Sequence, residues 1–227
     1  MKKKIFAIAV AACLAVLMIA GASLAYFTDV DEATNVFTTG KVDIQITEAK
    51  VEVDANNEHI VKVSPEERVA STGLDYKAIR TLWPGQSVAK DPRIENIGSE
   101  DAFVGAIITI TDIQSLLATD AARIAFFDES DVLNDADNTV KWVVNGEDLV
   151  IYVAVADKLV RKSDTTVDYV ELFNTINIDS NWNNDNMALL ANMEITIEAY
   201  ATQTAGFDSA TEALYAAFPT QWAILAP

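Results

Sequence analysis

Short segments in which apolar and polar residues alternate recur along most of this chain, and they constrain its fold more than any other feature. Between Lys41 and Thr47, the residues Val42, Ile44 and Ile46 alternate with polar neighbours, the period of a strand with one buried face. The same β-branched and aromatic character returns at 60–63, 103–113, 140–144, 149–155, 167–173 and 193–201. Asn145 and Gly146, between two of these runs, mark a tight hairpin. Apolar residues at three and four spacing predict a helix over 113–127, and a second over 209–218 that Asp208, Ser209, Ala210 and Thr211 would open as a capping stretch. Loops are expected at 56–58, 64–76, 128–138 and 179–186, which are rich in Asp, Asn, Ser or Gly. Many strands and few helices predict a mainly β chain, an antiparallel sandwich with short helices in its connections.

The chain begins with Lys2, Lys3 and Lys4, continues with an apolar run from Ile5 to Ala20, and passes through Gly21, Ala22, Ser23 and Leu24 to Ala25. A basic start, an apolar core and small residues at its end predict a signal peptide over 1–25, cut between Ala25 and Tyr26. The competing reading is an uncleaved anchor, because Ile5 to Ala25 would just reach across a bilayer about 30 Å thick. The small residues at the end of the run argue for cleavage, since an anchor usually continues with bulky Leu or Ile. The expected organisation is thus a leader (1–25), an extended N-terminal segment (26–39) and one β-sandwich domain (40–227). The working protein is expected outside the cell, in the extracellular matrix or at the cell surface, with no membrane association after cleavage.

The net charge is −18, and the leader holds three of the lysines and no acid, so the secreted part is more acidic still. That charge repels phosphate backbones and argues against nucleic-acid partners; it also makes self-association depend on ionic strength. Cys13 is the one cysteine and lies inside the leader, so no disulfide framework is available and stability must come from packing. Residues 26–39 are polar, Thr-rich and poor in core residues, so the segment would be flexible alone or would borrow partners from elsewhere.

From Leu24 to Ile44 the sequence runs through the aromatic pair Tyr26-Phe27, an acidic Thr-rich stretch, Asn35-Val36-Phe37, Gly40 and a first strand. A second block follows from Trp83 to Val104: Pro84-Gly85, then Lys90-Asp91-Pro92, then Asn96-Ile97-Gly98 and a long apolar strand. Pro84-Gly85 starts a turn and Asn96-Ile97-Gly98 reverses the chain on local grounds alone. Together these blocks resemble the TasA/camelysin family of secreted proteins from Gram-positive bacteria; residues 114–190 resemble it in pattern and length only. The resemblance implies a jelly-roll-like sandwich and a SipW-type signal peptidase as processing partner. It also implies extracellular fibres of a biofilm matrix, in which the N-terminal segment of one copy completes a sheet of the next. The partner would then be the chain itself, with paralogous matrix proteins as further partners. Tyr26 and Phe27 would anchor the new terminus, and Val36 and Phe37 would fill alternate pockets as the donated strand.

Camelysin-type relatives are described as metallo-endopeptidases, so an enzyme is the competing expectation, with a minor fibre-anchoring adaptor as a third. A zinc peptidase needs several imidazole or equivalent ligands and a carboxylate base. This chain has one histidine, His59, beside Glu58 in a turn-like stretch, and no cysteine beyond the leader. His59 is therefore expected to be a surface loop residue, and no catalytic residue is assigned. A Ser-His-Asp triad would depend on the same histidine, and no nucleophile elbow lies near it. Hard cations prefer oxygen ligands, and Asp179, Asn181, Asn183 and Asp185 place them at alternate positions, so calcium is the ion this loop would take. Asn184 stands where an EF-hand needs Gly and Leu190 where it needs a bidentate Glu, so a solvated acidic turn is the expected outcome and no cofactor is assigned.

Overall fold

The structure is a computed structural model that describes residues 28–30, 41–56, 58–64, 67–70, 82–127, 132–190 and 193–226. In chain order the strands are β1 (Thr28–Val30), β2 (Ile44–Ala49), β3 (Val51–Val53), β4 (Ile60–Lys62) and β5 (Arg68–Ala70). They continue with β6 (Ser87–Ala89), β7 (Arg93–Asn96), β8 (Ala102–Ile110), β9 (Thr139–Asn145) and β10 (Asp148–Ala154). The last are β11 (Asp168–Glu171), β12 (Thr175–Asn177) and β13 (Ile195–Gln203). The helices are α1 (Asp120–Phe126), α2 (Asn184–Leu190) and α3 (Ala210–Ala217). The protein is mainly β and sandwich-like, with α1 and α2 in connections between strands and α3 beyond the last strand.

One layer is the sheet β1-β13-β8-β10-β9, all of its pairs antiparallel. Its middle strand, β8, is apolar or small at nearly every position, and such a run is at home only where both faces are covered. Val104, Ala106, Ile108 and Ile110 lie in the main core with Leu149, Ile151, Val153, Ala199 and Ala201 from the flanking strands. Gly146, with φ +67°, and Glu147 turn β9 into β10, as the Asn-Gly signal predicts.

The facing layer is a bent one. Its halves are the sheets β11-β7-β2-β5 and β12-β6-β4-β3. Three strands run from one half into the other: β2 into β3 through Lys50, β6 into β7 through Lys90-Asp91-Pro92, and β11 into β12 through Leu172-Phe173-Asn174. Hydrogen bonds from Leu172 N to Pro92 O and from Lys90 N to Asn174 O carry the pairing round the bend. The pairs are antiparallel except at Ile60 and Val88, which pair in parallel. Val42, Ile44, Val88, Ile94, Phe173 and Ile176 from this layer close the main core.

The outer face of the five-stranded sheet is half covered by the C-terminal segment. Ser209 Oγ accepts the Glu212 N–H at 3.2 Å and Glu212 Oε2 accepts the Asp208 N–H at 3.2 Å, so the predicted capping stretch opens α3 as expected. Leu214, Phe218, Trp222 and Leu225 pack there on Phe103, Tyr152 and Tyr200. Trp222 is fully buried, edge-on to Tyr152 and Tyr200 with ring centres 6.1 and 5.7 Å away.

The sequence predicts a helix over 113–127, and only its second half forms. Ile113 and Leu117 are sunk in the core through a single turn, and the helix proper begins where Thr119 Oγ1 accepts the Ala122 N–H at 3.2 Å. The loop predicted over 179–186 is shorter than expected, because Asn183 caps α2 from Asn184 onward.

Candidate functional site

The segment just beyond the predicted cut is part of a sheet. β1 is the outermost strand of the five-stranded layer, antiparallel to β13, with Thr28 opposite Thr202, Asp29 opposite Ala201 and Val30 opposite Tyr200. Sequence reasoning expects 26–39 to be flexible or to borrow partners; residues 28–30 have β13 as theirs. β13 carries the opposite of a protective edge in this stretch. Ala199, Tyr200, Ala201 and Thr202 are buried, so without a neighbour a well-ordered row of N–H and C=O groups would face solvent. Ala25, Tyr26, Phe27, Val36 and Phe37, the residues assigned to cleavage and donation, lie outside the described residues.

A second constellation sits where the facing layer bends. Asp91, 1% exposed, takes the Ala49 N–H on Oδ1 at 2.9 Å and both Lys62 Nζ and Arg68 Nη1 on Oδ2 at 2.9 Å. Arg68 also donates through Nη2 to the carbonyls of Thr47 (2.9 Å) and Asp91 (2.6 Å), and through Nε to Thr47 Oγ1 (2.9 Å). Next to it, fully buried Glu48 accepts from Lys90 Nζ at 2.7 Å, and Glu95 accepts from Thr47 Oγ1 at 2.7 Å and Gln45 Nε2 at 2.6 Å. Three cations therefore meet three carboxylates, and the charges balance around the fully buried Asp91 and Glu48, with Lys62 partly exposed. Burial opposes ionisation of Asp91, but the Ala49 N–H, Arg68 and Lys62 more than offset it and hold the carboxyl below its ordinary value. The cluster is a clamp: it fastens short β5 and the ends of β2, β4 and β6 at one point. Of its members the sequence singles out only Lys90 and Asp91, in the Lys-Asp-Pro stretch, and without a role; charged residues inside alternating strands were the available signal.

His59 is half buried rather than a free loop residue. Its Nδ1 accepts the Ser87 N–H at 3.0 Å, which places the imidazole in a structural bond across β6. In the loop read for calcium, Asp179 Oδ1 accepts from both the backbone and the side-chain amide of Asn181, at 2.8 and 2.9 Å. Asn183 Oδ1 accepts the N–H groups of Asp185 and Asn186 at 2.9 and 3.0 Å. These two oxygens shape a turn and cap a helix, while Asp185 lies in the first turn of α2.

Residues 1–62 match the family model described as camelysin metallo-endopeptidase. The match covers 62 of the 227 residues, and it is this N-terminal stretch that is similar to the camelysin family. The match spans the predicted leader and β1 to β4, and ends at Lys62 of the ionic clamp. No curated protein and no solved structure matches the chain. The metallo-endopeptidase in that family's description implies a metal and a set of donors to hold it. Among the described residues no group of three or more His, Cys, Asp or Glu is placed to hold an ion. His59 spends Nδ1 on Ser87, and Asp91 spends both oxygens on Ala49, Lys62 and Arg68. The described residues do not fit a zinc centre, and no hydrolytic step follows from them.

Proposed function

We propose that this camelysin-like chain is a secreted structural subunit of an extracellular fibre or matrix, joined to its neighbours through the N-terminal segment after a SipW-type peptidase removes the leader. The observation that carries this reading is the position of β1: three residues beyond the predicted cut the chain is already a sheet strand, and an edge one. A strand at a sheet edge has one side paired and one side open, which suits it to pairing with another chain. Leader and strand are separated only by Tyr26 and Phe27, so an attached leader would crowd that side, and cleavage would be the switch for assembly. The rest of the molecule supports a structural role: a thick core, a charge-balanced clamp and a covered outer face give rigidity. No helix among the described residues is long and apolar enough to cross a membrane.

The test is negative-stain microscopy of three purified proteins: one starting at Tyr26, one with extra residues ahead of Tyr26, and one lacking 26–37. Fibres from the first alone are expected. Fibres from the truncated protein would sink the reading, and metal-dependent casein cleavage by the first would favour the peptidase instead.

A further inference from the structure

We infer that the surface receiving the N-terminal strand is the opposite edge of the same sheet, strand β9 of the next copy. The inference rests on the fibre reading above and names its acceptor. The five-stranded sheet has two ends, β1 and β9, and each has a single neighbour among the described residues. Joining the β1 end of one copy to the β9 end of the next is a heterologous contact that repeats without closing, so it builds one continuous sheet along a filament. β1 keeps β13 of its own chain on one side and takes β9 of the next copy on the other.

The backbone of β9 is arranged for this. Gly146 and Glu147 form a two-residue turn flanked by Asn145 and Asp148, and the pair that closes such a turn exchanges both its hydrogen bonds. Counting back in twos, Asn145, Val143, Lys141 and Thr139 bond β10. Val140, Trp142 and Val144 then direct their N–H and C=O groups away from the sheet. β9 is seven residues long, enough for several rungs.

Charge separates β9 from the other edges. The stretch 26–40 contains Asp29, Asp31 and Glu32 and no base. β11 carries Asp168 and Glu171, and β3 carries Glu52, so both repel it. β12 is three residues long and already bridged at Ile176 to Phe127. β5 is three residues long and its arginine is turned into the clamp. The one charge on β9 is Lys141, exposed, bonded to the Ile224 carbonyl at 2.7 Å and without an acidic partner among the described residues. On a chain more acidic than −18 once its leader is removed, a long edge with no acid and one cation is the edge an acidic strand would choose.

The directions are consistent with the chain's own topology. All neighbours in the sheet are antiparallel, so β1 and β9, at its two ends, run the same way. Copies stacked by translation meet in parallel register, and a half-turn per copy makes the contact antiparallel.

Hydrogen exchange on protein starting at Tyr26 reads the contact directly, comparing monomer with fibre. Amides of Val140, Trp142 and Val144 are expected to slow about tenfold or more on assembly, whereas those of β8, in the middle of the sheet, are protected in both states. Val144→Pro is the companion variant. It removes an outward N–H and leaves the bonds to β10 in place, and Val144 is half exposed, so the monomer should keep its fold by circular dichroism and lose fibres. Fast exchange at 140–144 inside wild-type fibres, or normal fibres from Val144→Pro, overturns the assignment of β9. In that case loss of fibres on deleting 26–37 still upholds the fibre reading. Absence of fibres from the wild type removes both.

Discussion

Replacing Asp91 by Asn would leave Lys62 and Arg68 facing a neutral amide at a point with almost no water. Breaking a buried ion pair from one side typically costs about 3–5 kcal/mol, more than burying the pair contributes, because the remaining charge stays desolvated. Asp91→Asn should therefore lower stability by about 3 kcal/mol at pH 7, measured as a shift in urea midpoint. The sign with pH follows from the depressed folded-state value. The carboxylate's contribution is fully present above its ordinary value of 3.8 and is lost as pH falls below it, through the folded-state value. Wild type and variant should thus converge below pH 3.8, and a gap that widens there would refute the clamp. A second residue is fixed by space instead of charge. A Cβ on Gly105 would lie 2.5 Å from Trp222 Cη2, 2.6 Å from Leu214 Cδ1 and 2.7 Å from the Val153 carbonyl. Gly105→Ala should cost about 1–3 kcal/mol through overpacking, read as a lower melting temperature. Neither role was legible in the sequence. A lone Gly in an apolar run signals close approach without saying of what, and an Asp between Lys and Pro says nothing about an arginine more than twenty positions earlier.

At the scale of elements, the strands were legible and their neighbours were not. Period two exposed β2, β9, β10 and β13 because each has one face in the main core, and Asn145-Gly146 exposed the hairpin because its conformation demands those residues. β8 was legible as an apolar run, yet nothing local says that it lies at the centre of the sheet. The helix predicted over 113–127 forms only in part, since Ile113, Leu117 and Phe127 suit a helical stripe and also suit a turn that plugs the end of a sandwich. The C-terminal element tests whether the outer cover matters. Trp222 fills the space between Tyr152, Tyr200 and Gly105, and its truncation leaves a large cavity in the smaller core. Trp222→Ala should destabilise by about 3–5 kcal/mol in urea denaturation. A loss below about 1 kcal/mol would mean that the segment is loosely held in solution.

Charge decides the behaviour of the whole molecule. Two copies that approach edge to edge after losing the three lysines of the leader each bring a net charge of −21 instead of −18, and their repulsion extends over a Debye length, about 30 Å at 0.01 M salt and about 8 Å at 0.15 M. The contact inferred at β9 opposes that repulsion with one exposed cation, and exposed ion pairs contribute only about 0–1 kcal/mol. Long-range repulsion should therefore win at low salt, so fibre growth followed by light scattering should be faster at 0.15 M than at 0.01 M. Lys141→Glu adds to the global repulsion and removes the local attraction, so it should lengthen the lag at both concentrations and most at the lower one. If added salt slowed wild-type growth instead, attraction between acidic strand and basic edge would outweigh the net charge. Lys141→Glu would then have to reverse the salt response, because β9 has no other charge to attract the acidic strand and only the screened repulsion between copies would remain.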